Sequence, residues 1–158
     1  MNIRVGITLG DPSGVGAETV IKIFRDQRMF DMATFVLYGA SKSIAFYKSK
    51  VEEAEGVNYT LVRSAAEAQP RKLNLVECGK ADMRISVGES TPESGAVAVE
   101  SLRRAVADVK VGELDVLVTA PVNKNAMDEA GFGAVGHTEF LAQEFGGEPL
   151  MLMCSDIM

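Results

Sequence analysis

The sequence predicts an α/β fold with three layers, α/β/α, in which helices cover a mainly parallel sheet. Short apolar, β-branched segments alternate with longer segments of helical periodicity, which is the pattern of βα repeats. The strand segments are apolar almost throughout, as in strands buried on both faces. No fixed-period repeat, low-complexity tract or change in composition divides the 158 residues. We therefore expect a single α/β unit over residues 1–158.

The first half predicts strand, helix, strand and helix in order. Residues 3–9 form an apolar strand that ends at Gly10-Asp11-Pro12. A helix should follow over residues 18–25, where four side chains share a broad apolar face: Val20, Ile21, Ile23 and Phe24. Residues 34–37 form the second strand, and Ser41 is the expected N-cap of a helix that continues to about Lys50. The acidic stretch from Glu52 to Glu55 is expected to be solvated.

The second half continues the alternation. Residues 58–63 and 72–78 are strand candidates, and the period of 3.6 over residues 93–109 predicts an amphipathic helix that starts at Thr91-Pro92. Residues 114–118 form a further apolar strand, which we expect to be buried on both faces. Residues 149–154 are expected to form another buried strand or the approach to one.

Composition excludes several classes of function. The chain has 16 basic and 22 acidic residues, a net charge of -6, and no long Lys/Arg run, so a nucleic-acid partner is not indicated and a small molecule is favoured. Cys78 and Cys154 belong to no metal or disulfide spacing, which fits a reducing cytoplasm. The first apolar run breaks at Gly10, too early for a signal peptide or a membrane span, so we expect no membrane partner.

The segment GDPSGVG lies between the first strand and the first helix. Its backbone N–H groups and the helix N-terminus could face an anion, although the spacing matches neither the dinucleotide nor the P-loop fingerprint. A structural turn and a ligand loop both remain open. Asp11 stands at the carboxyl end of the first strand, where open α/β sheets bind ligands, but its charge would repel a phosphate placed against it.

Two later segments carry polar groups to the same region. If residues 114–118 run parallel to the first strand, TAPVNK brings Asn123 and Lys124 to the same sheet edge, where Lys124 is either a phosphate or carboxylate partner or an ordinary solvated lysine. His137 is the one histidine of the chain and lies at a predicted helix start, beside Thr138 and Glu139. It is either a substrate ligand kept neutral by the helix dipole or a helix-cap residue without function. A single histidine does not make a metal site.

Taken in order, GDPSGVGAE, LVTAPVNK with AMDEAGF after it, and GHTEFLA resemble the 4-hydroxythreonine-4-phosphate dehydrogenase family of pyridoxal phosphate biosynthesis. The segment SVGESTPESGAVAVESLRRAV also stands where that family has a serine- and glycine-led helix. The resemblance implies oxidation of a phosphorylated hydroxy-amino acid with NAD or NADP, followed by decarboxylation. It further implies a divalent metal (zinc, magnesium or cobalt), a fold like that of isocitrate and isopropylmalate dehydrogenases, and a homodimer with its site in a cleft between two subdomains.

Carried over residue by residue, the resemblance places the family's substrate contacts on His137 and Thr138, with Asp11, Asn123, Lys124 and Glu139 expected to line the site. The family's metal-binding histidines and its remaining substrate residues lie in a second half that this chain does not contain. We therefore expect an incomplete fold and no activity from the 158 residues alone. Three alternatives remain: a dehydrogenase of four-carbon sugar-acid phosphates, a phosphate acyltransferase, and a non-catalytic module that binds an anion or dimerises.

Overall fold

A computed structural model describes residues 3–80 and 82–154. Its strands are β1 (Arg4–Thr8), β2 (Thr34–Gly39), β3 (Tyr59–Val62), β4 (Leu73–Glu77) and β5 (Val116–Thr119). Its α-helices are α1 (Gly16–Phe24), α2 (Met29–Met32), α3 (Ser41–Lys48), α4 (Pro92–Lys110), α5 (Lys124–Glu129) and α6 (His137–Phe145), and a 3-10 turn covers Ala65–Glu67. The predicted α/β class is confirmed.

The strands form one parallel sheet in the order β3-β4-β2-β1-β5. β1 therefore lies between β2 and β5, and Val5 pairs with Phe35 on one side and with Val116 on the other. Because all the paired strands run in the same direction, the loops after β1 and β5 leave the sheet at the same edge.

Helices cover both faces of the sheet, as the three-layer prediction requires. On one face, α1 and α3 bury a cluster that contains Phe24, Leu37 and Leu75. On the other face, α4 packs on a cluster that contains Val36 and Tyr38. The outer side of α4 then receives α5 and α6 through an apolar cluster that includes Met127, Phe132 and Phe140.

The start of α4 follows the sequence prediction closely. Thr91 is the N-cap and Pro92 the first helical residue. The Thr91 hydroxyl accepts a hydrogen bond from the Ser94 N–H at 3.1 Å, and the Ser94 side chain lies within 3.4 Å of the Thr91 N–H. This capping box satisfies donors that a helix start otherwise leaves unpaired.

The predicted burial of two apolar segments is wrong. β5 is an edge strand and not a doubly buried one, since Val116 and Val118 remain 45% and 47% exposed. Residues 149–154 form no strand, and Leu150 is 84% exposed. An apolar run becomes a buried strand only where the tertiary structure supplies a neighbour, and neither segment has one on its open side within the described part of the chain.

Smaller corrections concern helix ends and faces. Ala40, and not Ser41, is the N-cap of α3, and Gly136 is the N-cap of α6. Ile23 is exposed, while Val20 and its other predicted partners on the apolar face of α1 are buried. The sequence prediction also omitted α2, the 3-10 turn and α5.

The structure describes both cysteines as free thiols, with Cys78 buried and Cys154 exposed. Among the helices described, none is both long enough and apolar enough to cross a membrane.

Candidate functional site

The loops that follow β1 and β5 are joined at the carboxyl edge of the sheet, as predicted. The Asp11 N–H donates to the Pro121 carbonyl at 3.2 Å. Gly10 adopts a φ of +67°, and a Cβ on it would lie 2.2 Å from the same carbonyl oxygen. Only glycine fits this junction, because both the backbone conformation and the close approach exclude a side chain.

The GDPSGVG loop satisfies much of its polar backbone internally. The buried Asp11 carboxylate accepts the Ser13 N–H at 2.8 Å, and the Asp11 carbonyl accepts the Gly14 N–H at 3.0 Å. The Gly88 N–H donates to the Ser13 carbonyl at 3.0 Å, and this hydrogen bond holds residues 86–88 against the loop. Asp11 is thus part of a turn that holds the loop in shape.

Asn123 and Lys124 begin the helix α5. The Asn123 side-chain oxygen accepts the Ala126 N–H at 3.1 Å, so this residue acts as the N-cap. α5 is fixed against α4 at Gly95, where a Cβ would lie only 1.9 Å from the Ala126 carbonyl oxygen. This close contact sets the position of Lys124 at the first turn of α5.

Lys124, His137 and Glu139 meet around Gly136. A Cβ on Gly136 would lie 3.7 Å from the Lys124 Nζ and 3.4 Å from the Glu139 Oε2, so both charged groups border this glycine. Gly136 provides no side-chain cap for α6. The first N–H groups of α6 therefore point, with the positive end of the helix dipole, toward a region that also contains an ammonium group.

His137 is the first residue of α6. Its Nε2 atom is buried, and it has no hydrogen-bond partner among the residues that the structure describes. Burial lowers the pKa of the imidazole below its ordinary value, and the nearby Lys124 ammonium lowers it further. The side chain is therefore a neutral imidazole near pH 7, able to donate or accept one hydrogen bond at Nε2.

A cavity of about 540 Å³ opens beside Lys124 and Glu139. Its charged lining comes from Lys124, Asp128 and Glu139, and residues 133–135 form part of its wall. Thr138 instead lines a separate, largely apolar cavity of about 450 Å³ between α6 and residues 146–152. The structure thus brings Lys124, His137 and Glu139 together and places Thr138 toward another cavity.

Asp128 is a lining residue that the sequence analysis missed. It lies four residues after Lys124, on the same side of α5, so its place beside Lys124 can be predicted once that helix is recognised. The available signal was an asparagine N-cap at Asn123 followed by a glycine at Gly131, which has a positive φ of 77°.

The donor atoms needed for a metal centre are not grouped in this part of the protein. Across residues 3–80 and 82–154, no three or more His, Cys, Asp or Glu side chains come together in a way that could hold a metal ion. What the site does offer is an ammonium group, free helix N–H groups and a neutral imidazole, which together suit a phosphate or carboxylate.

Comparison with known proteins identifies close similarity. The family model of the pyridoxal phosphate biosynthetic protein PdxA matches residues 31–158. A 4-hydroxythreonine-4-phosphate dehydrogenase from Aquifex aeolicus is 36% identical over 153 residues, which cover 97% of this chain and 46% of the relative. The enzyme of the same name from Bacteroides thetaiotaomicron is 34% identical over 151 residues, covering 96% of this chain and 41% of the relative.

A relative from Oceanobacillus iheyensis bears a different name, D-threonate 4-phosphate dehydrogenase, and is 30% identical over 154 residues, covering 96% of this chain and 46% of the relative. The crystal structure of a 4-hydroxythreonine-4-phosphate dehydrogenase from Burkholderia phymatum superimposes with a TM-score of 0.82 at 27% identity, covering 94% of this chain and 45% of that one. The chain therefore spans less than half the length of these relatives.

Proposed function

Because this chain belongs to the family of the pyridoxal phosphate biosynthetic protein PdxA, we propose that it forms one wall of the substrate site in a dehydrogenase of 4-phosphohydroxy-L-threonine. The complete enzyme oxidises the substrate hydroxyl with NAD or NADP, and the resulting β-keto acid loses carbon dioxide. The 158 residues of this chain form the N-terminal portion of such a protein and are inactive alone. The enzyme works as a cytoplasmic homodimer.

The observation that carries this proposal is the buried Nε2 of His137, which has no hydrogen-bond partner among the described residues. A buried polar atom without a partner costs about 1–3 kcal/mol, and a substrate that supplies the missing hydrogen bond recovers this cost. Because the imidazole is neutral, it bonds to a substrate hydroxyl or phosphate oxygen without adding a charge. We therefore assign His137 to substrate binding.

Lys124 supplies the positive charge of the same wall. Its ammonium group and the first N–H groups of α6 both favour an anion, as the substrate phosphate and carboxylate require. Glu139 and Asp128, which line the same cavity, favour a cationic group, such as the substrate ammonium. Thr138 faces the neighbouring cavity, so any contact that it makes is with a part of the substrate other than the part held by Lys124 and His137.

We place the divalent metal outside this wall. The described residues supply no fitting set of metal ligands, so no step of the reaction is assigned to a metal held by this part of the chain. When bound, a nicotinamide cofactor would supply the hydride acceptor for the oxidation. Asp11 and Asn123 act indirectly, by holding the loops that precede α1 and α5.

A second candidate function is oxidation of a four-carbon sugar-acid phosphate. The name of the Oceanobacillus iheyensis relative, D-threonate 4-phosphate dehydrogenase, favours it. The two substrates differ in the group on the carbon next to the carboxylate, which is an ammonium in one and a hydroxyl in the other. The two acidic residues that line the cavity, Asp128 and Glu139, favour the ammonium compound.

Two experiments test the proposal. In a full-length enzyme that contains these residues, His137→Ala should lower kcat/KM for 4-phosphohydroxy-L-threonine at least about tenfold, which is about 1.4 kcal/mol of transition-state binding. Unchanged kinetics in a folded variant would remove His137 from the site. D-threonate 4-phosphate, assayed in parallel, decides between the two substrates.

The second experiment needs no activity. The imidazole resonances of His137, the one histidine in the chain, are followed by NMR while each phosphorylated compound is added to the 158-residue protein. We expect saturable shifts that Lys124→Gln weakens and that Lys50→Gln, at a lysine beside Phe46 on the far helix α3, leaves unchanged. Equal shifts in the two lysine variants would contradict the assignment of Lys124 to the substrate-binding wall.

A further inference from the structure

A groove of about 320 Å³ lies at the amino edge of the sheet. It is lined by residues 56–60, which lead into β3, by residues 71–73, which lead into β4, and by Phe24, Gln27 and Phe30 around the end of α1 and the start of α2. Because the strands are parallel, these segments share one edge of the sheet, and the loops after β1 and β5 meet at the other. The groove is therefore separate from the candidate functional site.

The charged part of the groove lining is basic. Arg71 and Lys72 line the groove, and its other described lining residues are uncharged. Lys48 adds a third positive charge nearby, since its Nζ donates to the carbonyl of the lining residue Val57 at 2.7 Å and to the side-chain oxygen of Asn58 at 3.1 Å. In a chain with a net charge of -6, this local excess of basic groups favours an anionic ligand.

Arg71 is held in a backbone conformation that favours glycine. Its φ is 59°, in the left-handed region that other residues adopt infrequently. The fully buried Asn74 fixes the turn: its side-chain oxygen accepts the Gln69 N–H at 2.9 Å, and its amide group donates to the carbonyls of Gln69 and Lys72 at 3.1 and 3.0 Å. Residues that the surrounding structure keeps in such conformations cluster at ligand sites, so the turn at Arg71 is a reason to look for a ligand here.

The Arg71 guanidinium can exchange its present partner for a ligand. It forms an ion pair with the Asp31 carboxylate, and the two side chains are 77% and 60% exposed. An ion pair this exposed contributes little to stability, so a phosphate can replace the carboxylate at small cost while the Asp31 side chain turns to solvent. The planar guanidinium binds phosphate through two parallel hydrogen bonds, as it binds a carboxylate.

Aromatic side chains supply much of the apolar part of the lining. Phe24, Phe30 and Tyr59 all border the groove. Phe24 is fully buried and stacks with Phe30 at a centroid distance of 5.5 Å, whereas Phe30 and Tyr59 are partly exposed. A planar ring in the groove can therefore make stacked or edge-to-face contacts with Phe30 and Tyr59.

We propose that the amino-edge groove, formed around Phe30, Tyr59, Arg71 and Lys72, binds a small compound in which a planar ring carries a phosphate. The ring packs on the two aromatic side chains, and the two basic side chains hold the phosphate. A volume of about 320 Å³ is near the lower end of the range of about 300–1,000 Å³ for small-molecule sites, which suits one ring and one phosphate better than a dinucleotide. A mononucleotide and a phosphorylated pyridine share this chemistry. The inference does not rest on the proposed function.

Isothermal titration calorimetry of the 158-residue chain tests the proposal. Every protein in the series also carries Lys124→Gln, so that anion binding beside α6 is weakened. The probes are AMP and pyridoxine 5′-phosphate, which has no aldehyde that could react with lysines. Inorganic phosphate and pyridoxine are the controls, because each lacks one half of the ligand. We expect at least one ring phosphate to bind with a Kd below about 1 mM and at least about tenfold more tightly than either control.

Arg71→Gly separates binding from folding. Glycine keeps the left-handed conformation of the turn and removes the guanidinium, so the melting temperature should change by no more than about 2 °C while the ring phosphate binds at least about tenfold more weakly. Arg63→Gln is the matched control, since Arg63 is also an exposed arginine in an ion pair, with Glu67, and does not line the groove. It should leave binding unchanged. Phe30→Leu keeps an apolar side chain and should weaken binding of the ring phosphate at least about threefold through loss of the ring contact.

Several outcomes would overturn the proposal. Neither ring phosphate could bind below about 1 mM, or inorganic phosphate or pyridoxine could bind as tightly as the ring phosphate. Arg71→Gly could leave binding unchanged, or Arg63→Gln could weaken it as much, which would indicate a general effect of charge. If AMP binds more tightly than pyridoxine 5′-phosphate, the ligand is a nucleotide, and the reverse order indicates a phosphorylated pyridine; either order supports the groove. The His137 resonances report on the other site, so this proposal and the proposed function can fail independently.

Discussion

Replacing Gly95 with alanine should destabilise the protein, although alanine is the better helix former. Gly95 lies in α4, where an isolated Gly→Ala change would contribute about 1 kcal/mol of helix stability. The added Cβ, however, would lie 1.9 Å from the Ala126 carbonyl oxygen and 2.2 Å from its carbon. Both contacts are with backbone atoms, so no side chain can rotate away from them.

The magnitude follows from the distance that has to be gained. Observed Cβ contacts are essentially never closer than 3.0 Å, so α4 and α5 must separate by about 1.1 Å at this point. Overpacking of a close interface typically costs about 1–3 kcal/mol, and a backbone clash belongs at the upper end of that range. After subtraction of the helix-propensity gain, we expect a net loss of about 2 kcal/mol in the free energy of unfolding.

Urea unfolding provides the assay. With a slope of about 2 kcal/mol per molar urea, the midpoint should fall by about 1 M. Ala96→Gly is the matched control at the adjacent, exposed position, and it should lose about 1 kcal/mol through helix propensity alone. A Gly95→Ala protein that is more stable than the wild type would refute the close packing of α4 on α5, and with it the placement of Lys124.

Two further predictions concern the site. His137→Gln should remove part of the stability loss at acidic pH. The pKa of the His137 imidazole is lower in the folded protein than in the unfolded chain, so the unfolded chain binds the proton more readily. The stability of the wild-type protein therefore falls as the pH drops below 6.5, the ordinary pKa of histidine. Urea midpoints at about pH 7.5 and about pH 5.5 should therefore differ less in the variant, and equal differences would contradict the burial of the imidazole. Asn123→Ala should lower the free energy of unfolding by about 1 kcal/mol through loss of the α5 N-cap. Asn125→Ala, at an exposed position, should change it little. Similar urea midpoints for the two variants would contradict the capping role of Asn123.

Much of the fold was predictable because local patterns and tertiary structure agree. The strands at residues 34–39 and 73–77 are apolar runs with neighbours on both sides, and they are buried as their composition suggests. β5 has a similar composition but lies at the edge. Strand order is decided by contacts far apart in sequence, so the exposure of Val116 and Val118 could not be obtained from the run itself.

The candidate site was predictable in position and less so in its detailed composition. Parallel strands place the loops after β1 and β5 together, which correctly joins Asp11 to the segment that contains Lys124. Asp11 and Asn123 turn their side chains to nearby backbone N–H groups, a local role that both residue types often adopt. His137 and Thr138 are adjacent in sequence but point about 100° apart on α6, and the apolar cavity that Thr138 lines is not bordered by His137.

The pairing of β1 with β5 also sets an order of events during synthesis. The Arg4 N–H donates to the Asp115 carboxylate, 111 positions away in sequence, so this hydrogen bond forms only after residue 115 has been synthesised. A nascent chain can assemble β1, β2 and β4 first, and it can join the two loops only after residue 121 has emerged from the ribosome. Substitutions that loosen β5 should therefore delay acquisition of ligand binding while the early part of the sheet forms at its normal rate.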